Sequence, residues 1–203
     1  RVTALTDPGS ELEIAAMARS QQQSADDTTR DGVLTAFATI GGQRAVVLSE
    51  DAAVLARTDG EVARRKRHRI LTLASMTQSP IVLVLDGARE RPPVFAENAG
   101  ELAGRMSDPR LDIDLGRRRA PLVSVVCGEI VAWARDVVAV SDVVIATDAA
   151  VSFDSRGALP VDLLVTDDES ALRAARSVLA LIGPDGRGRD AARFAPSPLT
   201  GDV

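Results

Sequence analysis

The chain has 203 residues, 45 % hydrophobic and 2 % aromatic, with a formal net charge of −5. That length suits a single domain, and the acidic total and scarce aromatics argue against nucleic acid as a partner. One cysteine (Cys127) and one histidine (His68) exclude a disulfide framework and any multi-cysteine or multi-histidine metal site, so no metal is assigned.

In chain order, residues 1–18 read as a short helix, a turn at Asp7-Pro8-Gly9-Ser10 and a mostly apolar stretch. Residues 20–31 are polar without periodicity and read as an exposed loop. Two β-branched runs, 33–40 and 44–49, flank Gly41-Gly42 and predict a hairpin. Residues 60–77 predict a helix, ended by Pro80, in which Val62, Ile70 and Leu73 face inward and the cations of Arg64–Arg69 form a solvated side. Ile81–Leu85 and residues 122–127 are apolar throughout, as expected of strands buried on both faces of a parallel or layered sheet. A short helix over 98–106, a helix over 130–140, strands at 143–146 and 161–165, and a final helix over 169–182 follow. That helix carries Leu172, Ala175, Leu179 and Ile182 as a stripe, and Asp167 and Asp168 as caps. Residues 1–182 are expected to form the domain and 183–203, rich in Gly, Pro, Arg and Asp, a linker or tail. No apolar run approaches the ~18 residues of a membrane span. No leader is expected, and the compartment is expected to be cytoplasmic.

Two strand ends carry candidate chemistry. Asp86-Gly87-Ala88-Arg89 and Cys127-Gly128 both end buried strands in small-residue turns that can aim backbone N–H groups at a developing oxyanion. Any strand-to-helix turn can also use glycine, so each alone is equally a connection. The basic run fits either a solvated helix face or phosphate contacts. Cys127 lacks a neighbouring base in sequence and reads as structural, and no G-x-S-x-G occurs.

The order of segments resembles the N-terminal half of the carboxyltransferase (beta) subunit of biotin-dependent acyl-CoA carboxylases. Four stretches carry the likeness: the opening Arg1-Val2-Thr3-Ala4-Leu5-Thr6-Asp7-Pro8-Gly9-Ser10; Asp31-Gly32-Val33-Leu34-Thr35 with its hairpin; Gly60-Glu61 through the strand into Gly87-Ala88-Arg89; and Val125-Val126-Cys127-Gly128 to Ser141-Asp142. The resemblance implies an α/β, crotonase/ClpP-like layered fold of repeated ββα units. It also implies that the N–H groups of Gly87 and Ala88 meet a thioester oxygen, that Arg64, Arg65 and Arg69 meet coenzyme A phosphates, and that Ala132 and Trp133 line the acyl space. Biotin would enter only through a partner: a carboxyltransferase C-half, a biotin carboxylase or a carrier subunit. A homo- or hetero-oligomer is expected. The departures are Asp86 and Trp133 where the family has glycines, Ala56-Arg57-Thr58 in place of a third glycine pair, and a short segment between Phe153 and Leu159. The leading expectation is a divergent subunit that binds an acyl-CoA and stabilises its enolate for carboxyl transfer or decarboxylation. The alternative is a catalytically degenerate relative acting as a structural or regulatory subunit.

Overall fold

The computed structural model describes residues 1–18, 30–51, 53–54, 58–87, 89–90, 115, 118–130, 133–153 and 159–182. The expected helix over 98–106, the bulk of the polar loop and the tail lie outside the described residues.

Beyond the one-turn helix α1 (Val2–Leu5), the chain forms β1 (Leu12–Glu13) and the hairpin of β2 (Val33–Ile40) and β3 (Gln43–Glu50). The hairpin register runs from Val33 opposite Glu50 to Ile40 opposite Gln43. Its two-residue loop has φ +59° at Gly41 and +77° at Gly42, the left-handed pair that matches the twist of hairpin strands. The Asp7 carboxylate accepts both glycine N–H groups, at 2.9 and 2.8 Å.

After β4 (Thr58–Asp59) come α2 (Glu61–Thr77), β5 (Ile81–Leu85), β6 (Arg89–Glu90), β7 (Leu122–Val126), α3 (Trp133–Ala139), β8 (Val143–Thr147), α4 (Asp148–Phe153), β9 (Leu163–Val165) and α5 (Asp168–Ile182). The main sheet has the order β1-β2-β3-β5-β7-β8-β9, antiparallel through β3 and parallel from there on. A separate parallel pair joins β4 to β6.

The central strands are buried on both faces, as their unbroken apolar runs require. Ile81, Leu83 and Leu85 of β5 pack into one core with Ala63, Ile70, Leu71 and Ala74 of α2. Val82 and Val84 pack into the other with Leu5 and with Ala171, Leu172, Ala175 and Leu179 of α5. Helices therefore cover both sides of one sheet.

Several expectations need correction. The helix predicted over 130–140 begins at Trp133, the strand predicted over 161–165 is confined to Leu163–Val165, and α4 was not foreseen. The larger correction concerns α2. Its basic run is not one solvated side: Lys66 and Arg67 are 4 % and 2 % exposed and point inward. Lys66 Nζ donates to the Val33 carbonyl. Burial pulls its amine down to about 8 from 10.5, with Glu13, Arg30 and Asp31 as its charged neighbours. Among the described residues no helix is long and apolar enough to cross a membrane.

Candidate functional site

The mouths of β3, β5 and β7 lie side by side at the carboxyl end of the parallel strands, where open α/β sheets place ligands. At β5 the chain turns through Asp86 into Gly87, whose φ is +81°. A Cβ on Gly87 would stand 2.5 Å from the Glu129 carbonyl oxygen, and one on Gly128 would stand 2.8 Å from Asp86 Oδ1. The two turns thus abut: the positive φ and the backbone oxygen at Gly87 both require glycine, while a side chain at Gly128 would have to displace the Asp86 carboxylate.

Among the described residues, several acceptors crowd this junction. The Asp86 N–H donates to Glu50 Oε2 at 3.1 Å, and the Cys127 N–H donates to the Leu85 carbonyl at 2.8 Å. Glu50, the last residue of β3, is 2 % exposed and pairs with Arg67 Nη2 at 3.0 Å. The Arg67 guanidinium lies 4.6 Å from the centre of the Trp133 ring, a stacked cation–π contact. Trp133 packs against the α2-side core, and its buried indole Nε1–H has no acceptor among the described residues. From the other side Arg1 Nη1 donates to Asp86 Oδ2 at 2.6 Å, and Arg1 Nε to Asp168 Oδ2 at 2.8 Å. Burial first, then the neighbouring Asp168, pushes the Cys127 thiol up to about 12, so it is inert as a nucleophile at neutral pH. A cleft of about 780 Å3 opens beside this array, lined among others by Arg1, Arg30, Gly32, Ser49, Asp51 and Asp86.

The structure brings Gly87 together with the turn that leads to Trp133, as the pairing of two strand mouths required. Ala88 and Ala132 lie outside the described residues. Arg65 and Arg69 sit two residues either side of Arg67, so at ~100° per residue they leave the far side of α2, and both are exposed. Arg64 is half-buried. The residues that sequence reasoning missed are Glu50, Arg67 and the Arg1–Asp168 pair. The one available signal for Glu50 was a carboxylate just beyond the apolar run Ala45–Leu48 of its strand.

Residues 1–154 match the family model described as the carboxyl transferase domain. The propionyl-CoA carboxylase beta chain of Saccharopolyspora erythraea is 35 % identical over 102 residues, which cover 47 % of this chain and 19 % of that protein. The biotin-dependent long chain acyl-coenzyme A carboxylase beta4 subunit of Mycobacterium tuberculosis is 35 % identical over 91 residues, 45 % of this chain and 17 % of its own. Among solved structures, a single-chain, multi-domain long-chain acyl-CoA carboxylase superposes with a TM-score of 0.71 at 27 % identity, over 89 % of this chain and 21 % of that one. The 12S transcarboxylase, a hexamer solved with methylmalonyl-coenzyme A, superposes with a TM-score of 0.70 over 91 % of this chain and 41 % of its own; at 19 % identity that likeness is one of fold. The matches span about a fifth of the length of the curated relatives. With a matching family model over three quarters of its length and the mixed, crotonase-like sheet to go with it, the chain belongs to the carboxyl transferase domain family.

Proposed function

We propose that this chain is a carboxyltransferase-family subunit that keeps the fold but not the enolate chemistry, and serves as a structural or regulatory member of an acyl-CoA carboxylase assembly. One observation carries the reading: the strand mouths that would receive a thioester oxygen are furnished with acceptors. Glu50 holds the Asp86 N–H, the Asp86 carboxylate lies over Gly128, and the Glu129 carbonyl closes on Gly87. An enolate oxygen requires preorganised donors, and loss of one such donor costs about 3–4 kcal/mol of transition-state stabilisation. Carboxylates and carbonyls turned toward the same spot add repulsion, which Arg1 relieves for Asp86 but does not convert into donation. Trp133, stacked on Arg67 and packed against the core on the α2 side, supports the same reading, since it is a bulky side chain at a position where the resemblance implies an acyl-lining glycine. In this reading biotin and the catalytic acyl-CoA site belong to partner subunits.

The leading expectation from sequence, an acyl-CoA-binding catalytic subunit using Gly87 and Ala88 with Arg64, Arg65 and Arg69 on the phosphates, retains one observation in its favour. That is the cleft of about 780 Å3 beside the strand mouths. Thermal melts separate the two. A ligand held at a Kd of ~100 µM adds about 1.4 kcal/mol at ~1 mM, a Tm rise on the order of 3–5 °C for a chain of this size. Acetyl-CoA and propionyl-CoA are expected to leave Tm unchanged. A carboxyltransferase-family partner from the same genome is expected to co-elute with the chain and to turn over thioester at the same rate without it. A rise in Tm with either thioester, or carboxyl transfer that needs the chain, would reinstate the catalytic reading.

A further inference from the structure

The seven-stranded sheet ends on β9, whose three residues pair with β8 along one side only. Leu163 lies opposite Ile145 on the α5 face, and Leu164 lies opposite Ala146 on the other. They are 41 % and 53 % exposed, so the edge offers an apolar side chain on each face of the sheet. Edge strands are ordinarily guarded by lysine, proline or an inward charge. Within β9 there is neither a charge nor a proline, and the Asp162 carboxylate just before it is occupied in accepting the Val144 N–H at 2.8 Å. The flank of α5 beside this edge has the same character. At ~100° per residue, Asp168, Glu169, Arg173 and Arg176 fall in one sector of the helix. Arg176 marks that sector as the side toward α1, since it reaches the Leu5 carbonyl and Asp7. Ser170, Ala174, Ser177, Val178 and Leu181 fall in the opposite sector, toward β9. Ala174 and Val178 pack with Val165 at the border of the core, and Leu181 is 64 % exposed. An uncharged helix flank and an unguarded sheet edge thus continue into one another.

We propose that this edge and flank form a two-fold seam between two copies of the chain, joining their sheets through antiparallel β9 strands. Opposed residues in an antiparallel pair share a face, so a two-fold axis normal to the sheet has to pass through a residue. With the axis at Leu164, Leu163 meets Val165 of the second copy and Leu164 meets its own copy. Asp162 then falls opposite Thr166, so no like charges are opposed. An axis at Leu163 or Val165 would leave one end of β9 without a strand residue across from it. The same axis brings the two α5 flanks toward each other on one face of the joined sheet, with the charges of each helix turned away. A second copy is selected over a foreign strand because one symmetry operation covers both surfaces, each being its own complement. Depletion of charge along the whole seam is what the centre of a protein interface requires. The inference holds whether or not the chain makes an enolate.

Sedimentation velocity of the wild-type chain is expected to show a reversible dimer with a Kd on the order of 10–100 µM, since the seam is smaller than a standard interface. Leu164→Lys is expected to weaken it at least tenfold and Leu181→Lys several-fold. Both add positive charge to a chain of net charge −5, so added repulsion does not explain a loss. Met76→Lys, the same kind of exchange at a 75 % exposed position on α2, is expected to leave the dimer unchanged. Cysteine cross-linking reads the register even where a lysine variant is unstable. Across the axis the two Leu164 Cα atoms would stand ~4.5–5.5 Å apart, within disulfide range. Two Leu163 Cα atoms, offset by two residues along the strands, would stand ~8 Å apart, beyond that range. Under mild oxidant Leu164→Cys is expected to form a covalent dimer. Leu163→Cys and the wild-type chain, whose Cys127 is buried, are expected to form none. A wild-type chain that stays monomeric, a dimer that survives Leu164→Lys, or equal cross-linking at 163 and 164 would overturn the proposal. A monomer whose co-elution with a carboxyltransferase-family partner is lost in Leu164→Lys would assign the edge to that partner instead.

Discussion

Arg67 carries a full charge into the space between α2 and β3, and Glu50 is what makes that tolerable: both side chains are about 2–3 % exposed. Removing one partner strands the other in a medium that solvates it poorly. Arg67→Met is therefore expected to lower stability by about 3–5 kcal/mol, while Glu50→Gln/Arg67→Met recovers most of that loss, read from urea midpoints. If the double variant is as unstable as the single one, the ion pair is not what Arg67 contributes. The inward turn of Lys66 and Arg67 was hidden in the sequence by residue type. Positions 63, 66, 67, 70, 71 and 74 form a regular helical stripe, but two of its six members are cations and so were assigned to the solvent side. Asp86 and Trp133 were legible as departures in a glycine motif. Their consequence was not, because Glu50 and Arg67, which hold that corner, come from other strands and helices.

At the level of elements, α2 is started by a residue thirty positions away. Asp31 is buried, and its Oδ2 accepts the N–H groups of Gly60 and Ala63 at 3.2 and 3.0 Å. It does so from a turn in which Arg30, Asp31 and Gly32 have φ of +58°, +50° and +73°. Left-handed geometry at two non-glycine residues is costly, and the cap and the Arg30–Glu13 ion pair hold it in place. Asp31→Ala is expected to cost about 1–2 kcal/mol and to speed amide exchange at Gly60 and Ala63 ahead of the rest of α2. Exchange that rises equally along the whole helix would mean the cap is not local. Long periodic elements were readable from pattern: β2, β5, β7, α2 and α5 stand within a residue or two of expectation. Two-residue β1 and six-residue α4 were not, since neither is long enough to show a period. The remote cap was invisible for a different reason, as hydrogen bonds across thirty residues leave no local spacing.

Across the whole molecule, the two ends of the described chain are tied together through Asp7 and Arg1. Asp7 caps the hairpin loop and also accepts Arg176 Nη2 of α5 at 2.9 Å, while Arg1 reaches Asp168 at the start of the same helix. The Gly42 N–H first, then Arg176 and the Gly41 N–H, hold the Asp7 carboxyl well below its ordinary 3.8. A depressed folded value means that the stabilisation is complete above 3.8 and fades as pH falls below it. Asp7→Asn is expected to melt below wild type at pH 7, with the gap closing as the pH drops below that value. A gap that persists in strong acid would assign the loss to packing rather than charge. The mutual fit of Gly87 and Gly128 has a consequence for ancestry. Selection for folding alone would preserve both glycines long after turnover had ceased, because each is wedged against the other turn. A genome survey that scores activity by those two positions would therefore read the demands of folding rather than those of chemistry.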